Sequence, residues 1–347
     1  MRKAKAAVLY KPFDLRIGEV DVREPAEDEV VIRIKAVGIC GSDIHFYKEG
    51  KIGKFVVEKP LILGHESAGE IVEVGKNVKE RKVGDRVAIE PGIPCRRCEY
   101  CKGGRYNLCP DMKFLSCPPY DGFFVEYAVV PWDFTFILPD GISFEEGAMV
   151  EPLSVGMQAA KRSGVSAGDT VAILGAGPIG LCTLQVVKAF GASPIIVTDV
   201  VPFRLELASK MGATYTINAK EEDVVKKINE LTNGRGVDVT FECAGQTATT
   251  QITPYITKPG GVITLVGVTS EEVYPMPMLE IAHMRELDVR GVFRYANVHS
   301  LTVKLLGEGK LDAKPLITHS FSLEQTKEAL DFVDQNKDKV IKAVIKP

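Results

Sequence analysis

The chain has 347 residues, which is more than one ordinary hydrophobic core supports, so we expect two domains of roughly 100 to 200 residues each. Its 43 basic and 46 acidic side chains leave a net charge of -3, which argues against recruitment of nucleic acid or an anionic membrane. Apolar residues make up 45% of the chain and charged residues 26%, as is typical of globular proteins.

The N-terminal segment and the cysteines predict the compartment. Ala6 to Tyr10 is an apolar run too short for the core of a signal peptide, and no cleavage site follows it. Four of the eight cysteines fall between positions 95 and 109, and in a reducing compartment such spacing indicates metal binding rather than disulfides. We therefore predict a cytoplasmic protein.

Residues 1 to 90 show the pattern of short strands separated by turns. The predicted strands are 7–10, 14–20, 29–37, 69–74 and 86–89. No segment of helical length and period is convincing in this region. The sequence therefore predicts a mostly β half whose loops carry the polar residues of interest.

Two of these loops carry candidate metal ligands. The first, residues 38–45, contains Cys40, and the second contains His65 and Glu66. Taken singly, such a cysteine is usually a small buried residue, and a lone histidine is more often a hydrogen-bonded structural one. Together the three supply sulfur, nitrogen and oxygen donors that zinc accepts, and they leave a coordination position for water or substrate.

A second candidate metal site lies in one loop. Cys95, Cys98, Cys101 and Cys109 follow one another at spacings of three, three and eight residues. Four thiolates close a tetrahedral zinc shell and leave no room for substrate, so this spacing predicts a structural zinc. Redox cysteines or merely buried cysteines are the alternative.

The junction of the two halves carries one further acid. Ser143 and Glu146 fit a capping box that opens a short helix, and this helix leads to Glu151 just ahead of a proline. A carboxylate at this junction could reach into a cleft, but from its position alone Glu151 is best interpreted as an exposed acid at a helix end.

From about residue 155 to 290 the pattern changes to alternating strands and helices. The predicted strands are 171–174, 195–198, 214–217, 237–243, 262–267 and 288–293, and predicted helices include 202–211 and 221–232. Six strands with helical crossovers imply a parallel, doubly wound sheet. The C-terminal segment returns to mixed structure with a predicted helix at 323–335.

The stretch from 171 to 199 has the pattern of a dinucleotide-binding unit. A short apolar strand is followed by Gly175, Gly177 and Gly180 and then by a helical segment. These glycines suit a tight turn, a close approach to a pyrophosphate and a close helix-to-strand packing, and the start of the helix offers free N–H groups. Asp199 ends the next strand about 20 residues on, where an acceptor for ribose hydroxyls is needed.

Residues 170–187 carry no formal charge, so a membrane span is the alternative. Three glycines and a proline interrupt the middle of this stretch, at the place where a phosphate-binding turn is expected. We therefore expect no membrane association.

These motifs, taken together, resemble the zinc-dependent medium-chain alcohol dehydrogenases and, within them, the sorbitol (polyol) dehydrogenases. The matching pieces are Gly38 to Asp43, Gly64 to Glu66, the four-cysteine lobe, Glu151 to Gly156, Gly175 to Gly180, and Phe293 to Tyr295. The resemblance implies an α/β fold with a mostly β, GroES-like catalytic domain, residues 1–152 and 287–347, carrying a structural zinc lobe at about 90–115. A Rossmann NAD-binding domain, residues 153–286, interrupts it.

The resemblance also implies roles for individual residues. Cys40, His65 and Glu66 become catalytic-zinc ligands, with Glu151 either a fourth ligand or a partner of the zinc-bound water, which reverses its interpretation as an exposed acid. Ser42 and His45 match proton-relay positions. Positions lining the substrate site are Tyr47, Phe114, Arg294 and Tyr295, and the NAD-binding positions are Gly175, Gly177, Pro178, Ile179, Gly180, Asp199 and Arg204.

The implied activity is oxidation of a polyol at a secondary hydroxyl to the ketose, with hydride transfer to NAD. The enzyme would bind one catalytic and one structural zinc per subunit and form a homotetramer. Cys117 and Phe123 depart from the residues that many relatives have at these positions. An L-threonine 3-dehydrogenase, or another secondary-alcohol or diol dehydrogenase of the superfamily, is the alternative enzyme. A non-enzymatic binding scaffold is disfavoured by the intact set of ligand and relay residues.

Overall fold

A computed structural model describes residues 2–269 and 275–347. Clustering of residues by spatial proximity divides the chain into two compact units. The first contains residues 1–151, 299–309 and 313–347, and the second contains residues 152–298 and 310–312.

The N-terminal segment supplies most strands of the first unit. The strands are β1 (Arg2–Lys11), β2 (Asp14–Val22), β3 (Glu29–Gly38), β4 (Lys51–Ile52), β5 (Phe55–Val56), β6 (Leu61–Ile62), β7 (Glu66–Val74), β8 (Arg86–Ile89), β9 (Gly92–Ile93), β10 (Lys113–Phe114), β11 (Tyr127–Pro131) and β12 (Thr135–Ile137). The helices are α1 (Gly41–Glu49), α2 (Glu99–Lys102) and α3 (Phe144–Ala148), with short 3₁₀ turns at Tyr106–Leu108 and Trp132–Phe134.

The next segment alternates strands and helices. Its elements are α4 (Val150–Ser163), β13 (Val171–Leu174), α5 (Pro178–Ala189), β14 (Ile195–Asp199), α6 (Pro202–Met211), β15 (Tyr215–Asn218), α7 (Val224–Leu231), β16 (Val237–Glu242), α8 (Thr247–Ile256), β17 (Thr257–Leu265), a π-helical segment (Leu279–Met284) and β18 (Asp288–Gly291). The C-terminal segment contains α9 (His299–Gly307), β19 (Ile317–Ser322), α10 (Thr326–Gln335) and β20 (Lys342–Lys346), with 3₁₀ turns at Lys314–Leu316 and Leu323–Gln325.

The first unit is built around a seven-stranded sheet. Its strand order is β12-β8-β7-β3-β20-β19, with β11 paired to β3, so the last strand of the chain inserts beside the third. A three-stranded sheet in the order β2-β1-β6 joins the same core of buried aliphatic and aromatic side chains. The strands predicted before residue 90 are confirmed within a few residues of their observed ends.

The prediction that no helix precedes residue 90 was wrong, because residues 41–49 form α1 rather than a loop. Gly41 and Ser42 are weak helix formers, and the buried Asp43 interrupts the apolar pattern that would have revealed the helix. The capping box at α3 is confirmed, since Ser143 accepts a hydrogen bond from the N–H of Glu146 and Glu146 accepts one from the N–H of Ser143.

The second unit contains the predicted doubly wound sheet. Its six strands are all parallel and lie in the order β15-β14-β13-β16-β17-β18. Chain order reverses at β13, the first strand of the unit, with β14 on one side and β16 on the other. This is the arrangement in which ligands bind at the carboxyl ends of the strands.

The predicted boundary at residue 287 and the observed division differ by about a dozen residues. Residues 287–298 cluster with the second unit, because β18 pairs in parallel with β17. No helix among residues 2–269 and 275–347 is both long and apolar enough to cross a membrane. The uncharged stretch 170–187 is instead β13, a glycine turn and most of α5.

Candidate metal centres and coenzyme site

Three strands of the first unit bring the candidate catalytic ligands together. Gly38 at the end of β3 pairs with Glu66 at the start of β7, and Gly38 also pairs with Val344 of β20. Cys40 follows β3 by two residues and His65 directly precedes β7. One ligand atom each of Cys40, His65 and Glu66 lies within 4.8 Å of the others, so the structure brings the predicted set into coordination range.

The buried carboxylate of Glu66 has one oxygen left for a metal. Lys342 forms an ion pair with Oε1, and its Nζ also donates to the carbonyl oxygen of Ile39 at 3.1 Å. Oε2 is buried and has no hydrogen-bond partner among the described residues. An orphaned carboxylate oxygen beside a thiol and an imidazole is the donor set that zinc accepts.

Lys342 is a functional residue that sequence reasoning missed. Burial disfavours its charged form, but the charges of Glu66 and Cys40 outweigh burial and raise the pKa of Lys342 above its ordinary value. The ammonium therefore stays charged and balances the negative ligands. Its signal in the sequence is weak: a lysine directly before the short apolar run of residues 343–345.

Asp43 is a second residue that the sequence analysis left unassigned. Its fully buried carboxylate accepts hydrogen bonds from the N–H of Cys40 at 2.9 Å and from the N–H of Gly64 at 3.0 Å. Its Oδ1 also lies 3.7 Å from Nδ1 of His65. Burial opposes ionisation, but His65 and the backbone donors outweigh it and lower the pKa of Asp43. Asp43 therefore orients both ligand segments as an anion.

The glycine that ends β3 makes room for the Glu66 carboxylate. A Cβ at Gly38 would lie 2.2 Å from Oε2 of Glu66 and 3.0 Å from the terminal methyl of Met149. Both distances are shorter than ordinary van der Waals contact. Any other residue at position 38 would displace the carboxylate.

The two predicted relay residues lie on α1. Ser42 is in the first turn and is partly exposed, and His45 lies one turn further along and is exposed. Nδ1 of His45 is 3.4 Å from the carboxylate of Glu49. Residues three positions apart on a helix face the same side, so the pair runs from the ligand loop towards solvent.

Glu151 is buried, with 6% of its surface exposed, in the first turn of α4. Its interpretation from position alone as an exposed acid was therefore wrong. Its charge raises the pKa values of Lys342 and of Glu90, so it lies within electrostatic range of the ligand set.

The predicted aromatic residues of the first unit fall in different places. The ring of Phe114 contacts that of His65, with centroids 5.6 Å apart. Tyr47 is 1% exposed, and its hydroxyl donates to Asp331 on α10 at 2.9 Å while its ring packs edge-on against Phe13. The polar group of Tyr47 is therefore already paired, and a contact of Tyr47 with substrate stays a prediction.

Of the two substrate residues predicted in the second unit, Arg294 has an unusual backbone conformation. Arg294 adopts φ +52°, in the left-handed region that costs a side-chain-bearing residue about 1 kcal/mol. Its guanidinium lies 4.8 Å from the ring centroid of Phe293, which is half exposed. Tyr295 is buried.

The four predicted lobe cysteines form a compact cluster. All four sulfurs lie within 4.8 Å of one another, with 3.4 Å between Cys98 and Cys101 and 4.0 Å between Cys95 and Cys101. A tetrahedral zinc with bonds of about 2.3 Å holds its sulfurs about 3.8 Å apart, whereas a disulfide needs about 2.05 Å. The cluster therefore fits zinc.

Without a bound cation, the thiols of the lobe differ in pKa. Hydrogen bonds from the backbone N–H groups of Arg97 and Cys98 lower the pKa of Cys95 to about 7. Partial burial and the neighbouring sulfur of Cys98 raise the pKa of Cys101 to about 12. Four thiolates in so small a volume need a divalent metal to offset their repulsion.

The glycine turn of the second unit has the geometry expected for a dinucleotide. Gly175 adopts φ +100°, and a Cβ at Gly180 would lie 1.8 Å from the carbonyl oxygen of Gly175. Gly177 caps α5, and a Cβ there would meet only the guanidinium of Arg204 at 3.9 Å. Pro178 and Ile179 begin the helix, whose N-terminus is thus open to a phosphate.

Asp199 ends β14 and holds the turn. Its Oδ2 accepts a hydrogen bond from the N–H of Ala176 at 2.7 Å, and its Oδ1 accepts from the N–H groups of Val200 and Val201. Nη1 of Arg204 lies 3.8 Å from Oδ2. An acid and a guanidinium therefore stand together at the carboxyl end of the strand.

Comparisons with known proteins agree with this arrangement. Residues 26–140 match the alcohol dehydrogenase GroES-like domain and residues 178–307 match the zinc-binding dehydrogenase domain. Sorbitol dehydrogenase of Bacillus subtilis (strain 168) is 49% identical over 99% of this chain and 97% of its own length.

Two solved structures share the whole fold. An Escherichia coli oxidoreductase/dehydrogenase of unknown specificity involved in membrane biogenesis superposes with a TM-score of 0.96 at 41% identity, covering 99% of each chain. A putative zinc-binding dehydrogenase of Sinorhizobium meliloti 1021 bound to NADP superposes with a TM-score of 0.92 at 32% identity, covering 100% of each chain. The chain therefore belongs to the zinc-dependent medium-chain alcohol dehydrogenase superfamily and, within it, to the sorbitol (polyol) dehydrogenase family.

Proposed function

We propose that the cluster of Cys40, His65 and Glu66 is the centre at which this enzyme oxidises a polyol at a secondary hydroxyl to the ketose, reversibly and with NAD. The observation that carries the proposal is the ligand set itself: three donors within 4.8 Å, of which Glu66 keeps one buried oxygen unpaired. Three protein ligands leave a fourth position for substrate, as in catalytic rather than structural zinc sites. The relative named sorbitol dehydrogenase supports a polyol as substrate.

The residues around the ligands supply proton transfer and charge balance. Zinc held by this set supplies a Lewis acid that lowers the pKa of a substrate hydroxyl. Ser42 would accept the proton of that hydroxyl while its own proton passes towards His45, and His45, exposed one turn further along α1, would release a proton to solvent. Glu151 is either a fourth ligand or a partner of the water at the open position. Lys342 neutralises the carboxylate of Glu66.

The two proposed domains differ from the two compact units mainly in residues 287–298. Residues 1–152 and 287–347 form the catalytic domain with its structural zinc lobe at about 90–115, and residues 153–286 bind NAD. The turn of Gly175, Gly177 and Gly180 and the start of α5 would hold the pyrophosphate of NAD, and Asp199 would hold its adenosine ribose. NAD held there would supply the hydride acceptor of the reaction.

The substrate is a sugar alcohol such as sorbitol, xylitol or L-iditol. The guanidinium of Arg294 can donate to more than one hydroxyl of a polyol, whereas a simple alkyl alcohol offers only one. Its left-handed backbone is a local strain of the kind found at functional sites. Phe114, next to His65, contributes an apolar wall, and Tyr47 and Tyr295 complete the predicted set.

A panel of substrates tests this assignment. The ratio kcat/KM with NAD is measured for sorbitol, xylitol, ribitol, threonine, 2-butanol and butane-2,3-diol, with and without a chelator that strips zinc. We expect the polyols to be the best substrates and the chelator to abolish turnover. Best turnover on threonine would establish the L-threonine 3-dehydrogenase alternative. Best turnover on 2-butanol or butane-2,3-diol would establish the alternative of a secondary-alcohol or diol dehydrogenase.

The role of Arg294 has its own test. Arg294→Ala should lower kcat/KM for polyols by at least about tenfold, or about 1.4 kcal/mol, while 2-butanol is much less affected. Arg235→Ala is a matched control, because Arg235 is an exposed arginine of the same unit paired with Asp238. Equal losses on both substrates would show that Arg294 does not contact the chain of hydroxyls.

We further propose that the enzyme is a cytoplasmic homotetramer. β18 is an edge strand whose Val289 is 41% exposed, and the neighbouring π-helical segment exposes Leu279 and Met284 at 64% and 63%. Unpaired edge strands with apolar side chains favour self-association. Val289→Lys should shift the mass measured by light scattering towards smaller species; an unchanged mass would exclude this edge as an interface.

A further inference from the structure

The partly buried Tyr106 and the buried residues Glu90 and His299 form a chain between the four-cysteine lobe and α9. The hydroxyl of Tyr106, in the 3₁₀ turn between Cys101 and Cys109, donates to Oε1 of Glu90 at 2.7 Å. Oε2 of Glu90 lies 3.3 Å from Nδ1 of His299, the first residue of α9. The side chains of Glu90 and His299 are 2% and 0% exposed.

Aromatic rings enclose this chain on the side of the 3₁₀ turn at 132–134 and β12. The ring of Tyr106 packs edge-on against Phe134 with centroids 6.1 Å apart, and the imidazole of His299 stacks on Phe136 at 5.2 Å. Beside them, Arg96 of the lobe forms an exposed ion pair with Asp133 at 2.8 Å. Such exposed pairs contribute at most about 1 kcal/mol, so the buried chain is the stronger attachment.

Burial decides which atom of the chain carries the proton. Removal from water raises the pKa of Glu90 to about 8, with Glu151 and Asp133 adding to the effect and Tyr106 opposing it. The same burial lowers the pKa of His299 to about 3. An ion pair of carboxylate and imidazolium would place two charges out of water, whereas a neutral acid and a neutral imidazole form a hydrogen bond without that cost.

The neutral form suits both neighbours of Glu90. Oε1 accepts from the hydroxyl of Tyr106, and a proton on Oε2 would face Nδ1 of His299, 3.3 Å away, as a donor faces an acceptor. The charged groups that act on Glu90 from the surrounding elements are Glu151 on α4 and Asp133 on the 3₁₀ turn, both acidic. Ionised Glu90 would face both of them and could no longer donate to His299.

We infer that Glu90 is a protonated carboxylic acid that fastens the four-cysteine lobe to α9 through Tyr106 and His299, and that loss of its proton in alkaline solution loosens the lobe. Glu90 and His299 are thus positioning residues for the lobe, and they take no part in the redox reaction. This inference does not depend on which alcohol the enzyme oxidises.

Infrared spectroscopy of the zinc-loaded enzyme tests the protonation state directly. The difference spectrum between wild type and Glu90→Gln should contain one C=O stretch of a protonated carboxylic acid at neutral pH, and this band should vanish as the pH rises through about 8. His299→Phe keeps a ring on Phe136 but removes the acceptor, so the band should move to the position of an acid without that hydrogen bond. Absence of the band at neutral pH would establish an ionic pair and overturn the inference.

Hydrogen exchange of the peptide 95–109 tests the attachment, after correction for the intrinsic effect of pH. Wild-type protection should fall by about tenfold per pH unit between about pH 6.5 and 8 and level off above that, because opening of the lobe releases the proton that Glu90 holds up to about pH 8. Glu90→Gln, whose amide donates to His299 and accepts from Tyr106, should lose less than about twofold. Tyr106→Phe keeps its packing on Phe134 and should exchange faster at every pH.

Asp121→Asn is the control, since Asp121 is another acid of the first unit and its carboxylate accepts a hydrogen bond from the N–H of Ile62. It should behave as wild type. Equal alkaline loss of protection in wild type and Glu90→Gln would show that Glu90 does not hold the lobe.

Discussion

Lys342, the first residue of the last strand, forms a buried ion pair with Glu66, the first residue of β7. These residues are 276 positions apart in the sequence. The ligand set in the first unit is therefore completed by the C-terminal segment, after the whole second unit has been inserted. A catalytic centre of this kind forms only when both halves of the first unit have folded together.

Removal of this cation should be costly. Lys342→Met leaves the buried carboxylate of Glu66 uncompensated, and we expect a loss of about 3 kcal/mol or more in the free energy of unfolding and weaker zinc binding at the catalytic centre. Lys346→Met, on the same strand but in an exposed pair with Glu145, should cost less than about 1 kcal/mol. Denaturant titration and metal analysis measure both. Equal effects of the two substitutions would show that Lys342 has no special role.

Gly38 should tolerate no side chain. Gly38→Ala places a methyl group 2.2 Å from Oε2 of Glu66, so we expect the carboxylate to move, the catalytic zinc to be lost and kcat/KM to fall about 100-fold or more. Gly18→Ala is the control, because nothing lies within 4 Å of a Cβ there. Retention of two zinc ions and full activity in Gly38→Ala would mean that Glu66 does not need this space.

Much of this arrangement was predictable from the sequence, and the missing part has a physical reason. The ligands Cys40, His65 and Glu66, the cysteine cluster and the glycine turn are short local motifs whose chemistry is visible in their spacing. The roles of Lys342 and Gly38 depend on the pairing of strands that are far apart in the chain. No local sequence pattern encodes that pairing. The helix α1 was missed because its first residues are weak helix formers and its buried Asp43 serves hydrogen bonding rather than packing.

The two metal centres should be separable by mutation. We expect two zinc ions per chain, because one ligand set is closed and the other keeps a coordination position. Cys101→Ser should leave one zinc and lower the melting temperature while the folded fraction keeps its turnover. His65→Ala should also leave one zinc, but abolish turnover with little change in melting temperature. One zinc per chain in the wild-type enzyme would contradict the assignment.

Stability should decline in mildly alkaline solution because of Glu90. Its pKa of about 8 in the folded chain exceeds the value of about 4.3 in an unfolded chain, so its contribution is complete below about pH 4.3 and is lost as pH rises through about 8. His299 has the opposite sign: its folded pKa of about 3 lies below about 6.5, so its contribution is present above about pH 6.5 and is lost as pH falls through about 3.

Between about pH 4.3 and 6.5, the stability lost through Glu90 and the stability gained through His299 cancel as pH rises. The net effect of the pair is therefore a decline in the free energy of unfolding of about 1.4 kcal/mol per pH unit between about pH 6.5 and 8. Glu90→Gln should lack this decline. Denaturant unfolding midpoints of wild type and Glu90→Gln, measured across that pH range, give the difference in stability between the two proteins. The effect of pH on the metal centres is common to both proteins and cancels in this difference. Parallel curves would show that Glu90 is ionised in the folded enzyme.

Asp199 should make the enzyme prefer NAD over NADP. Its carboxylate is buried at the end of β14 and is held by three backbone N–H groups, so it cannot turn away from a 2′-phosphate. Arg204, 3.8 Å away, offsets part of the repulsion and softens the preference. We expect kcat/KM for NAD to exceed that for NADP, and Asp199→Asn, which keeps one acceptor oxygen but removes the charge, to shift the ratio towards NADP by about tenfold or more.

Asp223→Asn is the matched control, because Asp223 is an acid of the same unit that caps α7 through the N–H of Lys226. It should leave the coenzyme ratio unchanged, since asparagine caps helices as well as aspartate does. Arg204→Ala should move the ratio the other way, towards NAD, because the carboxylate then repels a 2′-phosphate without compensation. A wild-type enzyme that favours NADP tenfold, or an Asp199→Asn variant with an unchanged ratio, would show that the ribose is bound elsewhere.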